Sequence, residues 1–452
     1  MPGRWKRASF FIAVAGVVVV AFGGATTTAG ARADHATADT FQIMGFGPGD
    51  EIANVRADNA ADVLKQRFDA NVSNPAGGFD DQKFLAALAA RNVSDVVYMD
   101  RKKVAEYAAR GAIVPLSSCI KNENIQTSQY RLASLKAVTY KKRIYGIPEF
   151  TNPITIIAVD SVLQSAGVSK AALNTANWAK LRAAAKKMVK IENGKVTRIG
   201  FDPKLPGFLP LWVKAIGADM ISANGLRAQL NTPKAVKALT YTLQLIKDQG
   251  GYNRFKAFSD TWDFFGNQNQ VDQKQIGAWP MESFYYAVLA RTTPSSNITA
   301  IPFRTNRGRP ITFLTGNAWV IPKGAAHPGM ACAWAKTMTQ TDNWLKAVKV
   351  RFDNQRRLGR PFTGTFTANR LADVRIFEDL YQSFGKKAYD DAVHLLIDVQ
   401  KAGFEWRSSV AGGAVYQAMT DAVNRVLSGR QTPLKALNQA QKEAQAAINK
   451  NK

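Results

Sequence analysis

The sequence predicts an α/β fold made of two lobes. Three observations support this prediction. Short β-branched runs alternate with helical periodicities on both sides of residue 150, an extended stretch interrupted by prolines separates the two halves, and the composition is that of a globular protein. The 452 residues are 46% hydrophobic and 21% charged, so the chain is long enough to fill two or three hydrophobic cores.

The extended stretch is centred on residues 143–159. Its apolar run Ile154–Val159 has the β-branched composition of a buried strand. Pro148 and Pro153 carry no amide hydrogen, so a regular central strand is not expected across them. We interpret this stretch as a crossing that leaves one sheet and enters another, with a cleft beside it. An ordinary loop before a strand is the alternative. The residues expected to face the cleft are Glu149, Phe150 and Asn152.

The first part of the chain alternates strands and helices. The predicted elements are a strand at Thr40–Phe46, a helical pattern from Ala57 to Phe68, a helix at Asp81–Arg91, a strand at Asp95–Met99 and a helix at Arg101–Arg110. This order is typical of a mostly parallel sheet, and ligands of such sheets lie beyond the carboxyl ends of the strands. Phe46, Asp100 and Arg101 are therefore candidate site residues.

The second part of the chain continues the pattern and becomes helical toward its end. The predicted elements are helices at Trp178–Lys190, Leu209–Ala218, Pro233–Lys247, His327–Thr339 and Thr341–Val348, strands at Val196–Phe201, Gln275–Trp279, Asn297–Pro302 and Ile311–Ile321, an irregular loop at Arg351–Thr367, and helices from Arg370 onward. Asn177 is a plausible cap for the first of these helices.

The N-terminus has the pattern of a signal peptide over residues 1–33. Arg4, Lys6 and Arg7 precede an apolar segment at Ala8–Phe22, and Ala31–Ala33 offers a small-residue cleavage site. We therefore expect an exported protein of the cell envelope, the periplasm or the exterior. No cysteine lies near the cleavage site, which argues against a lipid attached through an N-terminal cysteine. An uncleaved anchor is the alternative.

Two cysteines, Cys119 and Cys332, are far apart in the sequence. Export permits a disulfide bond between them. Cys332 lies in a helical apolar pattern, where a buried free thiol is the commoner outcome. The sequence therefore favours a free Cys332 and leaves pairing open.

The charge is strongly positive. The formal net charge is +26, and residues 1–33 contribute four of these charges and no acid, which leaves +22 for the remainder. Such a charge attracts anionic partners, whether nucleic acid, an anionic envelope or an acidic ligand. The basic residues are spread along the chain without a nucleic-acid-binding motif, so no specific nucleic-acid partner is expected.

The sequence shows little sign of catalysis. Its three histidines are scattered, and neither a nucleophile motif nor a metal-binding spacing is present. We predict a binding protein rather than an enzyme, with no cofactor, no metal site and no catalytic residue. Paired carboxylates leave an exported glycosidase as an alternative. The acids considered for that role are Asp80, Asp100, Glu149 and Glu282.

Several segments together resemble a known family. In order, they are Tyr145–Pro148, Ile156–Asp160, Ala166–Val168, Asn177–Leu181, Trp212–Gly217, Ile276–Met281, Gly316–Lys323 with Ala331–Ala335, and Gly429–Leu437. Their order and spacing over about 300 residues resemble the extracellular solute-binding proteins of ABC importers, in the sugar-binding group that includes maltose-binding protein. On the crossing strand, this chain has Ile156–Val159 where those relatives are usually more polar and aromatic.

The resemblance implies a periplasmic-binding-protein-like fold with three crossings between its lobes. Lobe one would comprise residues 34–149 and 271–324, and lobe two residues 150–270 and 325–452. A sugar or related polar solute would bind between the lobes, which would close like a hinge and present the solute to the permease subunits. An acidic solute such as a uronate or sugar phosphate is the alternative ligand. A monomer is expected.

The ligand residues predicted on this basis have three chemistries. Aromatic faces cover the C–H face of a sugar, whereas carboxylates, amides and guanidinium groups bind hydroxyl or acidic groups. The aromatic candidates are Phe46, Phe150, Trp212, Trp262, Trp279 and Trp319. The polar candidates are Asp80, Asp100, Glu149, Asn152 and Glu282, with Arg101 and Arg356 for an acidic group.

Overall fold

The chain forms two five-stranded sheets with helices packed around them. The fold is given by a computed structural model that describes residues 39–47, 49–75 and 77–452. The predicted signal peptide, residues 1–33, lies outside the described residues. Among the helices that the structure describes, none is long and apolar enough to cross a membrane.

The strands are short and lie at the centre of each lobe. In chain order they are β1 (Thr40–Met44), β2 (Asn71–Ser73), β3 (Val96–Asp100), β4 (Thr139–Tyr140), β5 (Arg143–Ile144), β6 (Ile147–Pro148), β7 (Ile154–Val159), β8 (Lys190–Glu192), β9 (Lys195–Phe201), β10 (Ile276–Glu282), β11 (Ile298–Ile301), β12 (Thr312–Phe313), β13 (Asn317–Val320) and β14 (Gly403–Phe404).

The first sheet has the strand order β2-β1-β3-β13-β6. Strands β1, β2 and β3 run parallel, and β13 is antiparallel to both β3 and β6. The second sheet has the order β11-β7-β10-β9-β8, in which β7 is antiparallel to β10 and β11. We call each sheet with its packed helices the first lobe and the second lobe.

Helices make up much of the remainder of the chain. They are α1 (Glu51–Phe68), α2 (Asp81–Ala89), α3 (Arg101–Ala109), α4 (Ser117–Asn122), α5 (Leu132–Ala137), α6 (Asp160–Ser165), α7 (Trp178–Met188), α8 (Leu209–Ala215), α9 (Pro233–Lys247), α10 (Tyr252–Ser259), α11 (Phe284–Thr292), α12 (Pro328–Thr339), α13 (Thr341–Arg357), α14 (Arg370–Arg375), α15 (Lys387–Lys401), α16 (Gly412–Leu427) and α17 (Pro433–Lys450).

The caps explain where several helices begin. Asp50 accepts a hydrogen bond from the backbone amide of Ala53 and starts α1 directly after the loop that follows β1. Thr232 and Thr432 cap α9 and α17, each with a proline at the first helical position. A proline there loses no helical hydrogen bond, because the first amides of a helix have no partner within it.

Each lobe has its own apolar core. In the first lobe, α1, α12 and α13 pack together beside the sheet, and Trp319 and Trp334 lie in the core. In the second lobe, α7 packs on β9, α15 packs on β7 and β11, and the C-terminal pair α16 and α17 packs beside α9. The C-terminal helices thus complete the second lobe.

The strand pairing differs from the predicted division of the chain. Strands β10 and β11 were assigned to lobe one within 271–324, but both pair with β7 in the second sheet. Helices α12 and α13 were assigned to lobe two within 325–452, but they pack against α1 in the first lobe. The reason is that strand partners are chosen by contacts between distant segments, which the periodicity of a single segment does not encode.

Two predicted elements also have different bounds. The predicted loop at Arg351–Thr367 is helical as far as Arg357, because α13 continues past Val348 with Phe352 and Gln355 facing inward. The predicted strand Ile311–Ile321 is divided into β12 and β13. Its interruption lies at residues 314–316, where the chain leaves the second lobe for the first sheet.

The two cysteines form a disulfide bond, with their Cα atoms 5.4 Å apart. The preference for a free thiol at Cys332 is therefore wrong. Cys119 lies on α4 and Cys332 on α12, two helices that are in contact in the first lobe. Helical periodicity correctly indicated that Cys332 is buried, but it contained no information about the neighbouring helix.

Candidate functional site

The chain segments that link the two lobes lie side by side. Residues 149–153 join β6 of the first sheet to β7 of the second. Within this crossing, Asn152 forms an isolated β-bridge with Thr315, and Phe150 forms one with Thr367. The crossing is thus held between two other segments, and it is more ordered than a plain loop before a strand.

A cavity of about 760 Å³ lies beside this crossing and is lined by both lobes. The first lobe supplies the loop after β1, the start of α1 and part of α13, whereas the second supplies residues 283–291 and Phe265. Of the predicted site residues, those that line the cavity are Phe46, Glu149, Phe150 and Asn152. The expectation that the crossing faces a cleft agrees with this geometry.

A buried ion pair lies at the wall of the cavity. Arg56 of α1 contacts Glu149 with 2.5 Å between Nη2 and Oε1, and the two side chains are only 4% and 1% exposed. Arg56 also donates to the carbonyl of Met338 at 2.8 Å. Among the described residues, the other carboxylate oxygen of Glu149 and the Nε of Arg56 have no hydrogen-bond partner. Buried polar atoms usually have a partner, so this pair is an unusual polar feature of the cavity wall.

Aromatic rings surround this ion pair. The Arg56 guanidinium lies 3.6 Å from the centroid of the Trp344 ring, a cation–π contact. Tyr98 packs edge-on against Phe46 with ring centroids 5.4 Å apart. Burial, and next the charge of Glu149, raise the pKa of Tyr98 well above its usual value. The Tyr98 phenol therefore stays neutral and can donate a hydrogen bond.

The charges that line the cavity balance. Its acids are Asp50, Glu51 and Glu149, and its bases are Arg56, Arg291 and Arg351. Arg351 pairs with both Asp50 at 2.8 Å and Glu51 at 3.0 Å. Burial would raise the pKa of Asp50, but the Arg351 charge, the hydrogen bonds from Ala53 and Arg351 and the Arg56 charge together outweigh it, and the pKa is lowered. The cavity is therefore polar without a strong excess of either sign.

A second polar group lies where the two lobes meet and contains Asp100 and Glu282. Asp100 pairs with Lys102, and the Lys102 ammonium lies 4.5 Å from the ring centroid of Tyr416. Thr315, which pairs with Asn152, donates a hydrogen bond to Glu282. Burial raises the pKa of Glu282, and Asp100 adds to this effect. The structure thus brings together two predicted acids from different lobes.

Two other predicted polar residues have structural partners. Asp80 is exposed and caps α2 by accepting hydrogen bonds from the amides of Gln82 and Lys83. Arg101 is 2% exposed and forms a bidentate ion pair with Glu405, at 2.7 and 3.0 Å. It also donates to the carbonyls of Phe150 and Asn317. Neither residue lines the cavity, and Arg101 instead ties the crossing to the segment after α15.

The predicted tryptophans belong to the interior. Trp212, Trp279 and Trp319 are at most 1% exposed. The Trp212 indole donates to the carbonyl of Pro203 at 3.0 Å, and Trp319 packs against Phe46 from the core side, with centroids 5.2 Å apart. Trp262 is half-buried and packs on Phe258. The cavity lining includes none of these four indoles.

Arg356 is exposed on α13, one position past the inward-facing Gln355, and does not line the cavity. Its prediction rested on an irregular segment that is in fact helical. The arginine of α13 that reaches the cavity is Arg351.

Other residues of the site were missed by sequence reasoning. They are Arg56, Tyr98, Phe265, Phe284, Trp344 and Arg351 at the cavity, and Lys102 and Tyr416 in the polar group that contains Asp100. Tyr98 lies near the carboxyl end of a buried strand, a position that strand-end reasoning could have found. Arg56 and Trp344 lie on helices, and only the packing of α1 against α13 brings them together. Among the described residues, no group of three or more His, Cys, Asp or Glu side chains is placed to hold a metal ion.

A family model described as bacterial extracellular solute-binding protein matches residues 65–353. The chain belongs to this family. No curated protein matches the sequence significantly. The membership agrees with the resemblance inferred from the sequence segments, and it makes this chain a bacterial extracellular solute-binding protein.

Solved structures show the same fold. CpMnBP1 with mannotriose bound has a TM-score of 0.73 at 20% identity, over 90% of this chain and 100% of its own. An ABC transporter solute-binding protein of Thermotoga lettingae bound with α-D-tagatose has a TM-score of 0.72 at 19% identity, over 91% and 100%. The maltose/maltodextrin-binding domain MalE of Bdellovibrio bacteriovorus bound to maltotriose has a TM-score of 0.69 at 17% identity, over 91% and 100%. The expected α/β, periplasmic-binding-protein-like fold is confirmed.

Proposed function

We propose that this solute-binding protein captures a sugar, of mono- to oligosaccharide size, in the 760 Å³ cavity and delivers it to the membrane subunits of an ABC importer. The observation that carries the proposal is the Arg56–Glu149 pair, which is buried, lies close to aromatic rings and has one acceptor atom and one donor atom without a partner among the described residues. The similar structures have carbohydrates bound. Aromatic faces with a few fixed polar groups are what a sugar requires.

The charge balance of the cavity favours a neutral sugar over a uronate or sugar phosphate. Three acids and three arginines line it, and two of the acids are paired with Arg351. An acidic solute would need an uncompensated cation. Arg291 is exposed and is the one lining arginine outside these pairs, whereas Glu149 is paired with Arg56. The high overall positive charge is therefore not concentrated in this site.

Binding without catalysis is the activity that this geometry supports. A glycosidase needs one carboxylic acid to protonate the leaving oxygen and a second carboxylate to act opposite it. Glu149 is held in a buried ion pair with Arg56, and no second carboxylate is paired with it across the cavity among the described residues. The carboxylate acts instead as a hydrogen-bond acceptor for a hydroxyl group.

Closure of the two lobes would complete the site. Residues from both lobes line the cavity, so a solute that contacts both favours the closed arrangement by its differential affinity. We expect the importer to recognise the closed form. The binding protein would act on the outer side of the membrane, without a lipid attached to a cysteine.

The test combines native mass spectrometry with calorimetry and small-angle scattering. Freshly purified protein is first examined for a retained ligand, and then titrated with mannotriose, maltotriose and galacturonate. We expect 1:1 binding of a neutral sugar and a smaller radius of gyration. The proposal would be contradicted if no sugar in a broad panel of neutral sugars bound and the radius of gyration stayed unchanged. Preference for galacturonate would overturn its neutral part.

A further inference from the structure

A second cavity, of about 940 Å³, lies between the lobes and shares no lining residue with the first. One wall comes from residues 127–137 of the first lobe, which include α5. The other comes from residues 214–223 and 400–408 of the second lobe. Leu314 and Arg370 also line it, so five parts of the chain build the cavity. Its volume is in the range of small-molecule sites.

This cavity is more basic than the first, although two of its cations, Arg131 and Lys401, pair with Asp373 and Asp398, which are not lining residues. Its cationic lining residues are Arg131, Lys136, Lys214, Arg370, Lys401 and Arg407, and its acids are Asp219 and Glu405. Glu405 already forms a bidentate ion pair with Arg101. It also accepts a hydrogen bond from Ser134 at 2.5 Å. It therefore does not compensate the cations of the lining.

A single carboxylate serves two of these cations. Asp219 accepts from Lys214 and from Arg407, each at 2.6 Å. Burial would raise the pKa of Asp219, but these two cations outweigh it and the pKa is lowered. The Nε of Arg407 is buried without a partner among the described residues. Asp219 is thus ionised and paired with both Lys214 and Arg407. One N–H donor of Arg407 has no partner among the described residues.

Two further cations have no acidic partner. Within the part of the chain that the structure describes, Lys136 and Arg370 form neither a side-chain hydrogen bond nor an ion pair, and both are exposed. Cations that converge on one concave surface without counter-charges raise the local concentration of anions. A flexible ammonium and a planar guanidinium are the donors that phosphate groups prefer.

Apolar surface completes the lining. Phe404 stacks on Phe313 with centroids 5.2 Å apart, Trp406 donates its indole N–H to the carbonyl of Gly412, and Leu132 is 65% exposed at the edge. Buried rings beside cations suit a discrete small molecule that enters the cavity, whereas a flat lipid surface would contact only exposed residues.

We propose that this second cavity is a binding site for a soluble small molecule that carries two or more phosphate groups. Lys136 and Arg370 would hold the phosphate groups directly, and Arg407 and Lys214 would add charge from the second lobe. This site is separate from the cavity of the proposed sugar, and its occupant is different in charge. The proposal does not depend on which sugar is bound, or on whether one is.

Inorganic triphosphate is the probe, titrated by calorimetry into the wild-type protein, the double variant Lys136→Gln/Arg370→Gln and a matched control, Lys180→Gln/Lys237→Gln. The control removes two exposed lysines that lie outside the cavity. We expect saturable 1:1 binding to wild type and control, and at least a tenfold weaker binding to the cavity variant. Binding that is equally weak in both variants, or undetectable in wild type, would overturn the proposal, because the effect would then be one of overall charge.

A second arm separates a soluble ligand from a lipid headgroup. Cosedimentation with phosphatidylglycerol vesicles is measured for the same three proteins at two salt concentrations. We expect the two double variants to behave alike, since both lose two charges and a surface interaction depends on overall charge and salt. One outcome would assign the cavity to a lipid headgroup and contradict the soluble ligand. In that outcome only the cavity variant loses cosedimentation, and triphosphate does not bind to wild type. Thermal unfolding serves as an independent measure of folding, and the melting temperature is expected to be similar in all three proteins.

Discussion

Arg56 and Glu149 form the part of the candidate site where structure and recognition depend on the same two charges. Their ion pair is buried at the wall of the sugar cavity. Removing one member of a buried pair costs far more than an exposed pair contributes, because the other charge is left without compensation. Glu149 also lines the cavity, and its Oε2 has no hydrogen-bond partner among the described residues. Stability and ligand affinity are therefore expected to change together here.

Glu149→Gln tests this coupling. The amide keeps the shape of the side chain but removes the charge that faces Arg56, so we expect a loss of about 3 kcal/mol in the free energy of unfolding. We expect at least tenfold weaker sugar binding, since a hydrogen bond to a charged acceptor becomes a neutral one. Denaturant unfolding and calorimetry measure the two effects. The control is Glu378→Gln, whose side chain is exposed. A variant as stable as this control would show that the buried pair is dispensable.

Glu282→Gln is expected to have the opposite effect on stability. Burial raises the pKa of Glu282 above its usual value. The folded state therefore favours the protonated form, and the stability from this group is present below the unfolded pKa and lost as pH rises through the folded pKa. An amide is neutral at every pH and still accepts the Thr315 hydrogen bond. We expect a higher melting temperature than wild type at pH 7 and a similar one near pH 4. A lower melting temperature at pH 7 would contradict the raised pKa.

At the level of elements, the sequence predicted a strand or helix correctly where its signal lies in adjacent residues. Strand β7 and helix α9 have the predicted bounds, because a β-branched apolar run and a Thr-Pro helix start are written in adjacent residues. The pairing of β10 with β7 was not predictable in this way. The same limit applies to the site. The crossing residues were found from one stretch, whereas Arg56 and Trp344 meet only through the packing of α1 on α13.

The segment between β12 and β13 has a steric requirement at Gly316. A Cβ atom there would overlap the carbonyl oxygen of Phe150 and the guanidinium of Arg101. We expect Gly316→Ala to destabilise the protein by about 1–3 kcal/mol, as overpacking does, and to weaken sugar binding by moving the crossing. Gly329→Ala in α12, where nothing lies within 4 Å of the added Cβ, is the matched control and should be neutral or slightly stabilising. Equal behaviour of the two variants in thermal unfolding and calorimetry would show that the crossing tolerates displacement.

At the scale of the whole molecule, the disulfide bond constrains the first lobe alone. It joins Cys119 and Cys332, which are 213 residues apart, so it closes a long loop in the unfolded chain. We expect Cys119→Ala/Cys332→Ala to lower the free energy of unfolding by about 2–5 kcal/mol. Sugar affinity should be unchanged, because neither cysteine lines the cavity. Reducing agent should lower the melting temperature of wild type only. Free thiols in unreduced, unfolded wild-type protein would contradict the bond.

The order of strands in the first sheet has a consequence for how the protein is assembled during export. Strand β13 lies between β3 and β6 and is the sheet partner of both. It can pair with them only after the chain has been exported as far as residue 320. The second sheet is complete in sequence by Ile301. A chain secreted from its N-terminus therefore presents every strand of the second sheet before the first can close, and β6 waits with an unpaired edge through that interval. Strand edges of this kind attract other chains, so we expect the first lobe to be the more prone of the two to associate with other chains while the protein emerges.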